Sequence, residues 1–250
     1  MATTKRINTS STATMALVFA AAFALSTPLA AVDEQSQRHS YQKGQAIDFL
    51  FLNQKPDTEQ ALKDYFGAVF PIVKEAGYTP LPGFRITQSP TQGNYHPAVL
   101  VIASWRSPES RAHAMRTIEE RVPDFHQQRR DIWSSFDMTV YTMQEDVAFT
   151  VRSDKVYTLT AYWQEPGSRF AGFKREWLRK TRQAGGSIQL ELEDGVSPFG
   201  YRYDPDYMVI TEWERLTDFE QFTKENLAMD HEPIRHVNQF ILDLVPRKKP

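Results

Sequence analysis

Two stretches decide the fold of this chain: Ala98 to Trp105, AVLVIASW, and Tyr207 to Trp213, YMVITEW. Each is an apolar run of strand length that ends on a tryptophan and runs into a helix start. The two tryptophans stand 108 residues apart, and Ala76-Gly77 and Ala184-Gly185 share that offset. Two independent landmarks with one spacing indicate a duplication. A unit of about 100 residues is too long for a solenoid repeat and suits a subdomain.

Working outward from the tryptophan strands, the same order of signals occurs on both sides. Ala46 to Leu52 reads as a strand leading into Asn53-Gln54-Lys55-Pro56, and Val156 to Trp163 leads into Gln164-Glu165-Pro166. A helix follows each. In the first, Leu62, Tyr65, Phe66, Val69, Ile72, Val73 and Ala76 fall at helical spacing. Asp57 or Thr58 is placed to cap its start, and Gly77 stands where a left-handed residue ends a helix. Pro71 removes an amide donor and predicts a kink or break. The second helix gathers Phe170, Phe173, Trp177, Leu178 and Ala184 on one face and ends at Gly185-Gly186. Third come strands near Phe84–Gln88 and Ile188–Glu193. In the latter Ile188, Leu190 and Leu192 alternate with Gln189, Glu191 and Glu193, which predicts one buried and one wet face.

After each tryptophan a second helix opens, on Ser107-Pro108-Glu109 and on Thr217-Asp218-Phe219-Glu220, the latter a capping-box pattern. Short strands near Met138–Met143 and Phe240–Val245 finish the halves. The order β-α-β-β-α-β, twice, is that of the ferredoxin-like split βαβ unit. The fold class is therefore α+β, with repeats at 45–150 and 151–250.

Ahead of the repeats, residues 32–44 lack apolar periodicity and read as a loose, disordered leader. Before that, Lys5 and Arg6 precede an apolar run of 11 residues, Met15 to Leu25, then Ser26-Thr27-Pro28 and the small pair Ala30-Ala31. The run is far shorter than the roughly 20 residues that cross a bilayer, so residues 1–31 are expected to be a cleavable signal peptide and the protein periplasmic or secreted. The formal net charge is −2, and loss of Lys5 and Arg6, the only charges before residue 32, brings it to −4. That balance argues against nucleic acid as a partner. Cysteine is absent, which excludes disulfides, thiolate catalysis and thiolate-held metal. No second apolar run reaches spanning length, so no stable membrane span is expected after processing.

The quoted features are similar to those of the dimeric α+β barrel superfamily, and within it to NIPSNAP-like and small stress-responsive barrel-type proteins. The resemblance lies in Tyr162-Trp163-Gln164-Glu165-Pro166, in Ala184-Gly185-Gly186, in Glu212-Trp213 before a helix start, and in Pro233-Ile234-Arg235-His236 before the last strand. It covers most of residues 45–246. It implies two sheets packed face to face, here from one chain, with further pairing into a homo-oligomer open to such barrels. The superfamily's cofactor-free monooxygenases and haem-dependent branches rely on residue sets that do not map here in full, so the resemblance gives no activity.

No catalytic signature emerges from the residues themselves. His126 and His231 each neighbour an aspartate, but no HxxxH or HExxH pair is present, so no metal and no cofactor is assigned. His39 falls in the leader and is set aside. His113 is placed where a haem-binding relative would carry its axial ligand. Gly-x-Ser-x-Gly and phosphate-binding glycine loops are missing. Lys174, Arg175, Arg179, Lys180 and Arg182 form the polar side of an amphipathic helix, first of all a solvated face. The aromatic residues are the main candidate material, packed core being their simplest role. Tyr65, Arg85, Trp105, His113, Tyr162, Trp163 and Trp213 are the candidate ligand-binding residues, expected, with Phe51, to border the sheet interior. Two functions follow: an exported protein binding a small hydrophobic ligand or a partner, or a cofactor-independent monooxygenase-like or isomerase-like enzyme acting on a small aromatic substrate.

Overall fold

The period-2 apolar runs become strands and the period-3.6 runs become helices in the expected order. The computed structural model describes residues 36–244, so the expected signal peptide lies outside the described residues. The first repeat comprises β2 (Ala46–Gln54), α1 (Glu59–Glu75), β3 (Thr79–Arg85), β4 (Val99–Trp105), α2 (Pro108–Arg121), an additional helix α3 (Phe125–Ile132) and β5 (Trp133–Thr142). The second comprises β7 (Val156–Gln164), α4 (Phe170–Gln183), β8 (Ser187–Glu193), β9 (Tyr207–Trp213), α5 (Leu216–Leu227) and β10 (Ile234–Leu244). Two further strands, β1 (Ser36–Tyr41) and β6 (Val147–Arg152), pair with each other as a separate antiparallel ribbon.

The main sheet has the order β5-β2-β4-β3-β10-β7-β9-β8. Each half follows the split βαβ pattern, with its first and third strands central. The halves join where β3 meets β10, Arg85 opposite Asp243 and Phe84 opposite Leu244. At the far edges Val140 of β5 and Val196, just past β8, exchange two backbone hydrogen bonds of 2.9 Å. The eight strands thereby close on themselves. One core cluster fills the inside with side chains from both halves, among them Phe49, Phe51, Phe84, Leu100, Leu159, Trp163, Met208 and Phe240. Two other clusters lie outside the sheet, under α1–α3 and under α4–α5.

The duplicated landmarks coincide in detail. Gly77 and Gly185 have φ of +82° and +89°, and each follows a helix closed by the same pair of backbone bonds. Tyr78 N–H donates to Val73 at 3.0 Å and Gly186 N–H to Thr181 at 2.8 Å, with Gly77 and Gly185 bonding to Lys74 and Arg182. Both tryptophan side chains pack in the outer clusters, with indole N–H groups donating to Asp48 (2.9 Å) and Thr158 (3.0 Å).

Several expectations are corrected. Residues 36–41 are a strand, not part of a loose leader, and His39 within it is fully buried. Helix α1 runs through Pro71 to Glu75, because Pro71 and Gly67 one turn earlier are exposed and water can satisfy the freed carbonyl. Thr58 is the N-cap of α1 but bonds Lys55 and Gln54 rather than a helix amide. The capping box at Thr217 and Glu220 does not form: the N-cap of α5 is Arg215, two residues earlier, which pairs with Asp218. At α2 the capping box does form, between Ser107 and Ser110. The second strand of the first half, β3, lies at Thr79–Arg85, ahead of its expected place, and its Pro80 and Pro82 are accommodated by a register shift against β4. Strands β5 and β10 have 10 and 11 residues and are not short. A register shift between Ile188 and Leu190 sends Ile188 to the outer cluster while Leu190 and Leu192 face inward. Among the described residues no helix is long and apolar enough to cross a membrane.

Candidate functional site

The barrel's outer seam is made by the connection between β8 and β9, and that connection carries the site. Asp194, Phe199 and Arg202 within it have φ of +56°, +57° and +59°, a left-handed region that costs about 1–2 kcal/mol for a non-glycine residue. Gly195 passes so close to β5 that an added Cβ would lie 2.5 Å from the Tyr141 ring, so only glycine fits. Bonds to β5 hold the segment: Ser197 Oγ–H donates to the Met138 carbonyl at 2.8 Å, and Thr139 Oγ–H to the Tyr203 carbonyl. Ser197 Oγ also accepts from the Tyr203 amide at 3.1 Å.

Tyr203, fixed in this way, forms one wall of an open cleft of about 390 Å3 at the end of the barrel. Trp163 of β7 meets it edge-on at 5.1 Å between ring centroids, and Tyr95 of the β3–β4 connection lies 5.3 Å from it. The polar side is Asp137 of β5, with Asn238 of β10. Tyr95 O–H donates to Asp137 Oδ2 at 2.6 Å. Burial raises the pKa of the Asp137 carboxyl from its ordinary value, the Tyr95 hydrogen bond offsetting part of that rise. Burial likewise pushes the phenols of Tyr95 and Tyr203 up, so both are neutral hydrogen-bond donors. The Tyr203 hydroxyl faces the Asn238 side chain and Asn238 Oδ1 lies against Gly93, so neither atom is open to solvent. Arg202, Arg235 and His236 stand exposed at the rim. The cleft offers aromatic faces, a carboxyl whose pKa burial raises, and a charged rim of Arg202, Asp204, Arg235 and His236.

The seven expected binding residues do not converge. Trp163 alone lines this cleft. Tyr162, its neighbour on β7, points to the opposite side of the sheet and packs with Phe173 and Trp177 beneath α4, as alternation along a strand requires. Trp105, Trp213 and Tyr65 belong to the same outer layers. Arg85 sits at the β3–β10 seam with its Nε buried and unbonded. His113 is exposed on α2, and the face of α2 turned to the sheet carries Ala114, Met115 and Ile118, so His113 does not reach a helix–sheet cleft. Phe51 is an interior residue, 4.6 Å from the Tyr203 ring. The barrel interior expected as a cavity is instead occupied by side chains. On the basic face of α4, Lys174 pairs with Glu193 and Glu191, and Arg179 and Lys180 pair with Glu176. Among the described residues no group of three or more His, Asp or Glu side chains is placed to hold a metal ion. Sequence reasoning missed Tyr95, Asp137, Tyr203 and Asn238. The one available signal was the aromatic density of Phe199-Gly200-Tyr201-Arg202-Tyr203 in an otherwise polar connection.

No family model and no curated protein matches the chain. Solved structures do. A mutant chlorite dismutase from Candidatus Nitrospira defluvii shares 10% identity over 82% of this chain and 94% of that one, with a TM-score of 0.48. A proposed monooxygenase from Fusobacterium nucleatum shares 11% over 81% and 93%, with 0.46. An anthrone oxidase-like protein shares 13% over 82% and 94%, with 0.45. With identities near a tenth and TM-scores below 0.5, these likenesses assign neither a residue role nor an activity to this chain.

Proposed function

We propose that this is an exported protein that binds a small, flat, largely apolar molecule bearing a hydrogen-bonding group, in the cleft between Trp163, Tyr95 and Tyr203. One observation carries the reading: three aromatic rings converge on an open cleft that also holds the Asp137 carboxyl with the Tyr95 hydroxyl bonded to it. Aromatic walls with a few polar groups suit a phenol or quinone.

Native mass spectrometry of protein purified from its own host tests binding. The expected result is a copurifying aromatic compound, lost from the variant Trp163→Leu, which removes one aromatic wall. Failure to copurify any compound, together with no saturable binding of phenols or quinones, overturns the reading. Fractionation tests export: the protein is expected outside the cytoplasm with a mass lacking the first 31 or so residues, and a cytoplasmic chain starting at Met1 rejects it.

A second reading, acid–base catalysis on the same ligand, is favoured by the Asp137 carboxyl, raised by burial and gripped by Tyr95. Asp137→Asn distinguishes the two. If the ligand turns over, the variant keeps binding and loses about 100-fold or more in rate; in a pure binder no turnover exists to lose.

A further inference from the structure

A buried guanidinium ordinarily has a carboxylate, because an uncompensated charge away from water is costly. Of the two buried arginines among the described residues, Arg111 obeys this, with Asp48 2.6 Å from its Nε. Arg129 does not. It is 7% exposed, and its Nε and Nη1 donate only to the hydroxyls of Tyr65 (2.9 Å) and Tyr201 (3.0 Å). Burial keeps the Tyr65 phenol protonated, so that partner brings no negative charge. The rings of Phe125 and Phe136 stand 4.0 and 4.3 Å from its Cζ. Nη2 donates to none of the described residues, leaving one donor group of a desolvated cation in hand.

Arg129 forms the floor of a second cleft, about 540 Å3, between α3, the start of β5 and the Phe199–Tyr201 turn. Its polar lining is His126, Arg130, Ser134 and Ser135, with no acidic residue, and its walls are aromatic. It lies on the other side of the β8–β9 connection from the first cleft: Phe199 and Tyr201 face this one, Arg202 and Tyr203 the other. We propose that this cleft binds the carboxylate of a small aromatic acid, the carboxylate on Arg129 and the ring among Trp133, Phe136 and Tyr201. A charge-assisted bond to a guanidinium is about twice as strong as a neutral one, and strengthens where water is excluded. One buried cation with one unused donor group matches a monoanion better than a phosphate dianion, and closely spaced aromatic walls match a flat body. The site shares no residue with the cleft of the proposed function, so either can fail without the other.

Titration of the whole protein with sodium benzoate, and separately with inorganic phosphate at matched ionic strength, tests this by calorimetry and by the fluorescence of Trp133 in the wall. Saturable benzoate binding is expected, weakened at least tenfold in Arg129→Gln. Because Arg129 is buried and its replacement can unfold the chain, Ser134→Trp, at an exposed position of the rim, is the second variant, expected to fold and to lose benzoate. Three results overturn the proposal: no saturable benzoate response, preference for phosphate, or unchanged benzoate affinity in whichever of the two variants folds.

Discussion

Asp48 and Arg111 are the residues at which the two halves differ most instructively. At the 108-residue offset Arg111 corresponds to Phe219, and Asp48 and Thr158 stand opposite Ala103 and Thr211, themselves 108 apart. Both serve the same indole N–H, that of Trp105 or Trp213. The first half thus encloses an ion pair where the second encloses a hydroxyl and a ring. Asp48→Thr alone strands the Arg111 charge and is expected to cost about 3–5 kcal/mol in urea denaturation. Adding Arg111→Phe recreates the arrangement of the second half and is expected to return at least half of that loss. Simple additivity of the two substitutions rules this account out. None of it was legible in the sequence, because the partners are 63 residues apart and an arginine amid helix polarity reads as solvated.

Among the elements, β1 is where pattern reading failed, and the reason is chemical. Its inward positions are Gln37, His39 and Tyr41, so the alternation that marks a half-buried strand is present in burial and absent in polarity. His39 stacks on Phe149 at 4.9 Å and on Phe84 at 5.5 Å, tying β6 and β3 together through β1. Phe149→Ala is expected to cost about 3–5 kcal/mol and to lower amide-exchange protection in β1 and β6 more than in β5. Uniform loss across all strands contradicts this placement. The helices and inner strands, by contrast, were legible, since Leu62, Tyr65, Val69, Ile72 and Val73 are the buried face of α1 that their spacing foretells. Helix α3 was not: its buried set of Phe125, Arg129 and Ile132 includes a charge.

The whole molecule is more than two repeats side by side. The duplication and the order of elements follow from local periodicity, which a sequence displays. Closure depends on Arg85 meeting Asp243 and on Val140 meeting Val196, contacts between distant segments that no local pattern announces. The candidate cleft shares that origin, since Tyr95, Asp137, Tyr203 and Asn238 come from four separate segments. One interior cluster draws on both halves, so the described residues are expected to unfold in a single cooperative step, with tryptophan fluorescence and far-UV circular dichroism giving coincident transitions. Two resolved transitions, one per half, contradict a shared core.

The pairing of β3 with β10 also imposes a schedule. A chain made from its N-terminus at about 5–20 residues per second exposes β3 roughly 10–30 s before the residues that will cover its free edge exist. An uncovered strand edge is an invitation to neighbouring nascent chains. Pro80 and Pro82 stand in that strand, and each withdraws an amide hydrogen that an intruder would need. The prolines beside the register shift between β3 and β4 are thus well placed to guard that edge while the barrel waits for its last strand.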